Sequence, residues 1–309
     1  SDRGQAGIFA GVVIASTINN TTGATDKLYA NSVKLNDAYG VAANSQIINN
    51  ILSSYNTILT NEAFTVGSDR LIDIMANQVS IFNSGVGTTA NPYRISTPEQ
   101  LMQINNYLSS HFVLANNINL SGIQFSSIGK GKKFTGTFNG NGFSISHVTD
   151  ALFDTNEGTI QNITISVNYN KTGSEDIVFG AAAKVNYGNI KSVIVDGNAT
   201  VNLTDLAVAK VGGIAGINYG TIDYVVNSIT VMNVNAPIAF VGGITGVSEA
   251  GSKIIDPRAD KTINVSGGSI KAGIVTGWSK AGATLEDYSM DNLRVTVRVR
   301  GTAITDLFG

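Results

Sequence analysis

Apolar positions recur along this chain in a fixed phase. Leu152, Ala182, Ile214, Ile244 and Val275 stand at steps of 30, 32, 30 and 31 residues. Four residues after each comes a polar, glycine-bearing phrase. It reads Asn156-Glu157-Gly158, Asn186-Tyr187-Gly188 and Asn218-Tyr219-Gly220, then more loosely Ser248-Glu249-Ala250-Gly251 and Ser279-Lys280-Ala281-Gly282. An apolar strand over 211–217 leads into the third phrase, and hydrophobic and polar residues alternate after it, as a half-buried strand requires. Ile222, Tyr224 and Val226 are expected on one side, Asp223, Val225 and Asn227 on the other. A third short strand over 237–240 closes the unit. About 30 residues without a helical period fit one coil of a β-solenoid, in which coils pair at about 4.8 Å and the stack buries what one coil cannot. The glycine of each phrase predicts a turn with φ > 0. Gln161, Lys191 and Asp223 share one position in the repeat and are expected to line up outward, with Lys191 beside Asp223 in a weak ion pair.

Upstream the pattern changes. Ile8, Phe9, Val12, Val13, Ile14 and Ile18 belong to a stretch rich in β-formers, with Ile8, Ala10, Val12, Ile14 and Ile18 on one side at period two. Residues 1–25 therefore read as an apolar tail and linker. Its functional reading is an exchanged strand that pairs with the open edge of another copy; its structural reading is an ordinary first element packed on its own domain. Residues 26–86 take helical spacing, through Ile47, Ile48, Ile51, Leu52, Tyr55, Ile58 and Leu59, and again through Leu71, Ile72, Met75, Val79 and Phe82. These helices either cover the end of the solenoid or pack between subunits.

Residues 87–309 read as the solenoid itself. It opens with a helix capped by Thr97, with Pro98 at its first position and Leu101, Ile104 and Leu108 turned inward. Strands over 112–114, 118–120 and 134–138 follow, then a turn at Asn139-Gly140-Asn141-Gly142. Near the C-terminus Leu293, Val295, Val297 and Val299 alternate with Arg294, Thr296, Arg298 and Arg300, a half-buried strand with a basic outer face. The arginines guard an edge against unwanted pairing, or else offer a place for an anionic partner.

Asn91-Pro92-Tyr93-x-Ile95, Pro98-Glu99-Gln100-Leu101, the stretch 112–120, Ile128-Gly129 and Phe134-Thr135-Gly136-Thr137-Phe138-Asn139-Gly140-Asn141-Gly142 together resemble the opener of GLUG-type repeat proteins. Gly212-Gly213-Ile214-Ala215-Gly216 and Gly242-Gly243-Ile244-Thr245-Gly246 resemble the repeat motif itself. Similar regions occur in bacterial surface adhesins and in the non-catalytic N-terminal parts of secreted IgA1-protease-like proteins. The resemblance covers about 87–282. It implies a right-handed parallel β-solenoid on an exported surface protein and carries no catalytic residues with it. The zinc motif His-Glu-x-x-His of the proteases is absent.

Composition narrows the reading. Apolar residues make up 43% and charged residues 14%, so the outer surface must be built from Asn, Ser, Thr and Gly. That is typical of secreted, β-rich surface proteins. A net charge of −2 gives no electrostatic case for nucleic acid or an anionic membrane. The absence of Cys excludes disulfides, Cys-ligated zinc and thiol catalysis. No apolar run is long enough for a membrane-spanning helix. The chain opens without Met, which fits either a trimmed chain or a leader removed on export.

Candidate chemistry is sparse. Asp154, Glu157, Glu175, Asp176, Asp196 and Asp223 show no spacing that pairs them for acid–base work, and His111 and His147 lack ligand companions. The sequence thus predicts a mainly β protein, a right-handed parallel β-solenoid with an N-terminal α-helical region, and no enzyme, cofactor or metal. The expected role is an extracellular, cell-surface structural or adhesive protein. It would be a filament or appendage subunit that joins other copies of itself through Ile8, Phe9, Val12, Val13, Ile14 and Ile18. One alternative is a monomeric adhesin that binds a glycan or host protein through Tyr187, Tyr219 and Trp278. The other is a polysaccharide-acting β-helix enzyme.

Overall fold

The computed structural model describes residue 82, residues 84–306 and two short strands near the N-terminus. Residues 1–81 and 82–309 form two separate units. In the first, Ile8–Phe9 pairs antiparallel with Val13–Ile14, Ile8 opposite Ile14 and Phe9 opposite Val13. The two strands run antiparallel, where period two alone had read one extended strand. Val12, Ile18 and the helices expected over 26–81 lie outside the described residues.

The second unit is mainly β, a parallel β-solenoid of about six turns. Each coil contributes a short strand to a six-stranded parallel sheet, such as Ala183–Asn186. It then runs through a strand of up to 15 residues, such as Asn189–Leu203, and a third strand, such as Val208–Gly212. Register holds from coil to coil. Ile160, Ile190, Ile222, Ile254 and Leu285 stack as one inner column, and Leu152, Ala182, Ile214, Ile244 and Val275 form another. All five of the latter are at most 1% exposed.

Two expectations about the corners need correction. The strand predicted over 211–217 is broken: it turns at Gly213-Ile214 between Val208–Gly212 and Ala215–Asn218. The strand predicted over 134–138 likewise breaks at Gly136, between Ile128–Phe134 and Thr137–Asn139. Nor do Gly158, Gly188 and Gly220 adopt positive φ. They are glycine because a Cβ would sit 2.0–2.2 Å from the carbonyl oxygen of the glycine one coil earlier. The looser copies do use the left-handed conformation, with Gly251 at φ +82 and Gly282 at φ +95.

A left-handed corner common to all five coils lies four or five residues further on. Asn162, Ser192, Tyr224, Asp256 and Asp287 take φ between +40 and +55 in five successive coils. The first four invert the alternation of their strands. Tyr224 is therefore 53% exposed, while Val225, expected on the outside, is fully buried. Further along, coil length varies between the long strand and the third strand. Gly173 pairs with Leu203, an offset of 30, yet Ile177 pairs with Ala209, an offset of 32. In the next coil Asn202 pairs with Asn235, an offset of 33, and Val208 with Ile238, an offset of 30. The surplus sits in the loop 204–207, where Leu206 is 84% exposed.

The opening helix forms but ends sooner than expected, so that Leu108, placed on its inner face by spacing, lies beyond it and is half-buried. Pro98–Gln103 is capped by Thr97, whose hydroxyl accepts from the Gln100 amide, and Gln100 reaches back to the Ser96 N–H at 2.7 Å. Leu101 and Ile104 are fully buried. Phe82, Tyr93, Tyr107 and Phe112 pack in one cluster over the first coil, with Phe82 stacked on Tyr93 at 4.4 Å between centroids.

Tyr169 is 4% exposed and stacks on Phe179 at 3.8 Å between centroids. Burial, with a smaller contribution from Asp150, holds its phenol far above the ordinary range. A phenol with a raised folded pKa stabilises the fold fully below the unfolded value, about 10, and that contribution is lost as pH rises beyond it. Tyr169→Phe should therefore flatten the loss of stability above pH 10, read as denaturation midpoints from pH 8 to 12. An unchanged slope would place the alkaline sensitivity elsewhere.

Candidate functional site

The corner that follows the six-stranded sheet positions the residues singled out as ligand contacts. Its geometry rests on buried asparagines. Asn156, Asn186 and Asn218 are fully buried, and their side chains form a ladder. Asn156 Nδ2 donates to Asn186 Oδ1 at 2.7 Å, and Asn186 Nδ2 to Asn218 Oδ1 at 2.8 Å. Each amide also donates to the carbonyl two residues on, at Gly158, Gly188 and Gly220. Buried amides hold their place only when paired in this way. One coil further, Thr245 and Ser248 take over with a hydroxyl pair at 2.8 Å.

This buried ladder sets the residue after each asparagine on an outward column. The N–H of Tyr187 donates to Asn156 O, that of Tyr219 to Asn186 O, that of Glu249 to Asn218 O, and that of Lys280 to Ser248 O. Glu157, Tyr187, Tyr219, Glu249 and Lys280 therefore stand one above another. The rings of Tyr187 and Tyr219 stack at 4.4 Å between centroids and 8° between planes. Lys133 pairs with Glu157 at 2.9 Å and lies 5.7 Å from the Tyr187 ring centre. Lys280 pairs with Glu249 at 2.8 Å and lies 5.0 Å from the Trp278 ring centre.

Tyr187 and Tyr219 thus share one outward column, and Trp278, level with Val247 in the adjoining strand, joins this aromatic and charged ridge through Lys280. Their ring faces are covered, however. Tyr187 lies between Tyr219 and Lys133. Trp278 stacks on Phe240 at 5.4 Å, with Lys271 Nζ 4.2 Å from its centre. The stacked tyrosine rings close the face between them. Partial burial, then the neighbouring Glu249 carboxylate, holds Tyr219 above the ordinary phenol range. The Glu157 hydrogen bond, then its charge, raises Lys133.

The candidate acids are mostly engaged. Asp154 and Asp150 both contact Lys184 Nζ, at 3.3 and 3.2 Å. Asp154 also accepts from the Gly131 N–H and Asp150 from that of Ala151, so this pair of carboxylates is held by its own lysine and backbone. Asp176 accepts from the Val208 N–H in an exposed loop. Gln161, Lys191 and Asp223 align as the repeat predicted, and Lys191 meets Asp223 at 3.5 Å. With Lys191 58% exposed, Lys191→Ala should change stability by less than about 1 kcal/mol, and less still at high salt. Chemical denaturation at low and high ionic strength checks this; a loss that survives salt would overturn it. His111 Nε2 lies 3.1 Å from the Thr89 hydroxyl. Among the described residues no cluster of three or more metal-ligating side chains occurs.

No family model matches the chain. Halomucin of Haloquadratum walsbyi is 33% identical over 156 residues, which is 43% of this chain and 2% of halomucin. A protein of Evansella cellulosilytica named "Putative Gly-rich membrane protein" is 31% identical over 136 residues, 38% of this chain and 16% of that protein. The chain thus spans a small part of either relative. The crystal structure of a "putative immunoglobulin A1 protease" from Bacteroides ovatus superposes with a TM-score of 0.53 at 17% identity, over 71% of this chain and 70% of that one. That likeness is one of fold. Among the described residues no helix is long and apolar enough to cross a membrane.

Proposed function

We propose that this chain is an extracellular structural and adhesive module displayed at a cell surface. The observation that carries the reading is the stack itself. Identical positions pair coil after coil, so the unit extends by repetition and shows a polar, sparsely charged wall to solvent. Similarity to short segments of much longer proteins, one named a mucin and one a membrane protein, supports a module of this kind. It acts by shape and contact rather than by catalysis. Copies join through the apolar segment at Ile8, Phe9, Val12, Val13, Ile14 and Ile18, in which two short strands already pair.

Negative-stain microscopy and light scattering of the full chain, beside the chain lacking residues 1–18, test the assembly. Filaments or large oligomers from the full chain alone are expected. Monomers from both would remove the filament and leave a monomeric adhesin that meets a glycan or host protein through the Tyr187–Tyr219–Trp278 ridge. Labelling of intact cells with an antibody to the solenoid tests the location; signal only after lysis would overturn it.

A further inference from the structure

The outer face of the long strands, about half a coil from the aromatic ridge in sequence, holds a second feature. A groove of about 450 Å³ runs along the stack between two columns of outward side chains. One column is Asn233, Asn264 and Arg298. The other is Asn202, Asn235, Ser266 and Arg300. The backbone of Val234, Val265 and Val299 forms the floor.

Hydrogen bonds fix the walls. Asn264 Nδ2 donates to Asn233 Oδ1 at 2.8 Å, and the Ser266 hydroxyl to Asn235 Oδ1 at 3.0 Å. Asn233 Nδ2, Asn235 Nδ2 and Asn264 Oδ1, on residues that line the groove, have no protein hydrogen-bond partner. Arg298 and Arg300 are exposed, two residues apart on one strand, and among the described residues neither forms an ion pair. Ion pairs engage several other charges of the solenoid, among them Lys133, Lys191 and Lys253. The groove therefore carries uncompensated positive charge in a chain whose net charge is −2.

We infer that this groove binds an acidic polysaccharide, with Arg298 and Arg300 holding sugar carboxylates and the asparagine columns holding ring hydroxyls. The planar guanidinium fork matches a carboxylate in two parallel hydrogen bonds. Amides and hydroxyls repeated every 4.8 Å or so suit a repeating ligand dense in hydroxyls. The side chains lining the groove include no aromatic anchor of the kind that dominates protein interfaces. Two arginines fall well short of the basic footprint that nucleic acid requires. This inference is independent of filament assembly, and either can fail without the other.

Isothermal titration of the full chain with polygalacturonate and with hyaluronate tests it, beside methyl-esterified polygalacturonate and dextran sulfate. Saturable binding to at least one carboxylated polymer is expected, with none to the ester. Arg298→Gln with Arg300→Gln should weaken it at least tenfold, and Asn264→Ala severalfold without a change of charge. Thermal melts confirm that each variant folds; should the glutamine pair not fold, Arg298→Lys with Arg300→Lys keeps the charge and should still lose most of the affinity. No binding to either carboxylated polymer would overturn the inference. So would unchanged affinity in the variants, or equal affinity for the ester. Dextran sulfate bound as tightly as the uronates would reduce the site to bare charge and overturn it as well.

Discussion

Asn186→Ala is expected to be among the most damaging single substitutions in the solenoid, at about 3–5 kcal/mol. Asn186 is fully buried and its side chain serves three coils. It accepts from Asn156 Nδ2 and donates to Asn218 Oδ1 and Gly188 O. Alanine would remove three buried hydrogen bonds at once, although Asn156 Nδ2 keeps Gly158 O and Asn218 Oδ1 keeps the Gly220 N–H, and each such bond is worth about 0.5–1.5 kcal/mol. A small cavity adds to that. The pair Asn186→Ala and Asn218→Ala should lose less than the sum of the two singles, because each single already removes the hydrogen bond between them. Urea denaturation of the four proteins in this cycle measures it. A loss under about 1 kcal/mol for Asn186→Ala would show that the corner repacks around a missing ladder member.

The second large effect falls on Gly188. A Cβ there would stand 2.1 Å from Gly158 O. No side-chain rotation relieves a clash between backbone atoms, so one coil must separate from the next. Overpacking of this kind costs about 1–3 kcal/mol and at times more, and Gly188→Ala belongs at the upper end because the next nearest atoms are also backbone, Glu157 C at 2.7 Å and Glu157 O at 2.9 Å. Gly251→Ala is the informative comparison. A Cβ there meets open space, but φ is +82. Its cost is conformational, about 1–2 kcal/mol. Denaturation midpoints should therefore rank the parent first, Gly251→Ala second and Gly188→Ala last. The reverse order would mean that the repeated glycine is there for its backbone angle after all.

That comparison shows where the sequence was legible. The period was plain because the inner columns are apolar in every coil and the corner phrase keeps its asparagine, so both the stack and its register could be read from spacing. The reason for the glycine could not. A left-handed turn and a close backbone approach both select glycine, and only the neighbouring coil tells them apart. Tyr224 was misplaced for a related reason. An aromatic residue rarely takes positive φ, so nothing local marks the point at which alternation inverts and Val225 turns inward. The Thr97 cap was legible because its partners lie within a turn of helix. The aromatic ridge was legible as three residues and no more. That Tyr187, Tyr219 and Trp278 are linked by Lys280 and Glu249 depends on an alignment of coils that spacing fixed, but their covered faces depend on rotamers that spacing does not. Arg298 and Arg300 were legible as a basic face, but the groove beside them was not, because its walls come from four coils, each supplying one or two unremarkable polar residues.

The loop 204–207 has a practical meaning. Neighbouring coils differ there by up to three residues, yet the columns on both sides stay in register. Extra chain at that corner loops into solvent, and lengthening such a loop costs only about 0.6 kcal/mol per doubling. A foreign peptide grafted between Asp205 and Leu206 would leave the stack intact and be carried on its outside. The same peptide placed at any Asn-x-Gly corner would pry two coils apart. The solenoid is in this sense a display scaffold with a built-in port. Among its natural relatives, insertions that diversify the exposed surface should gather at this one corner.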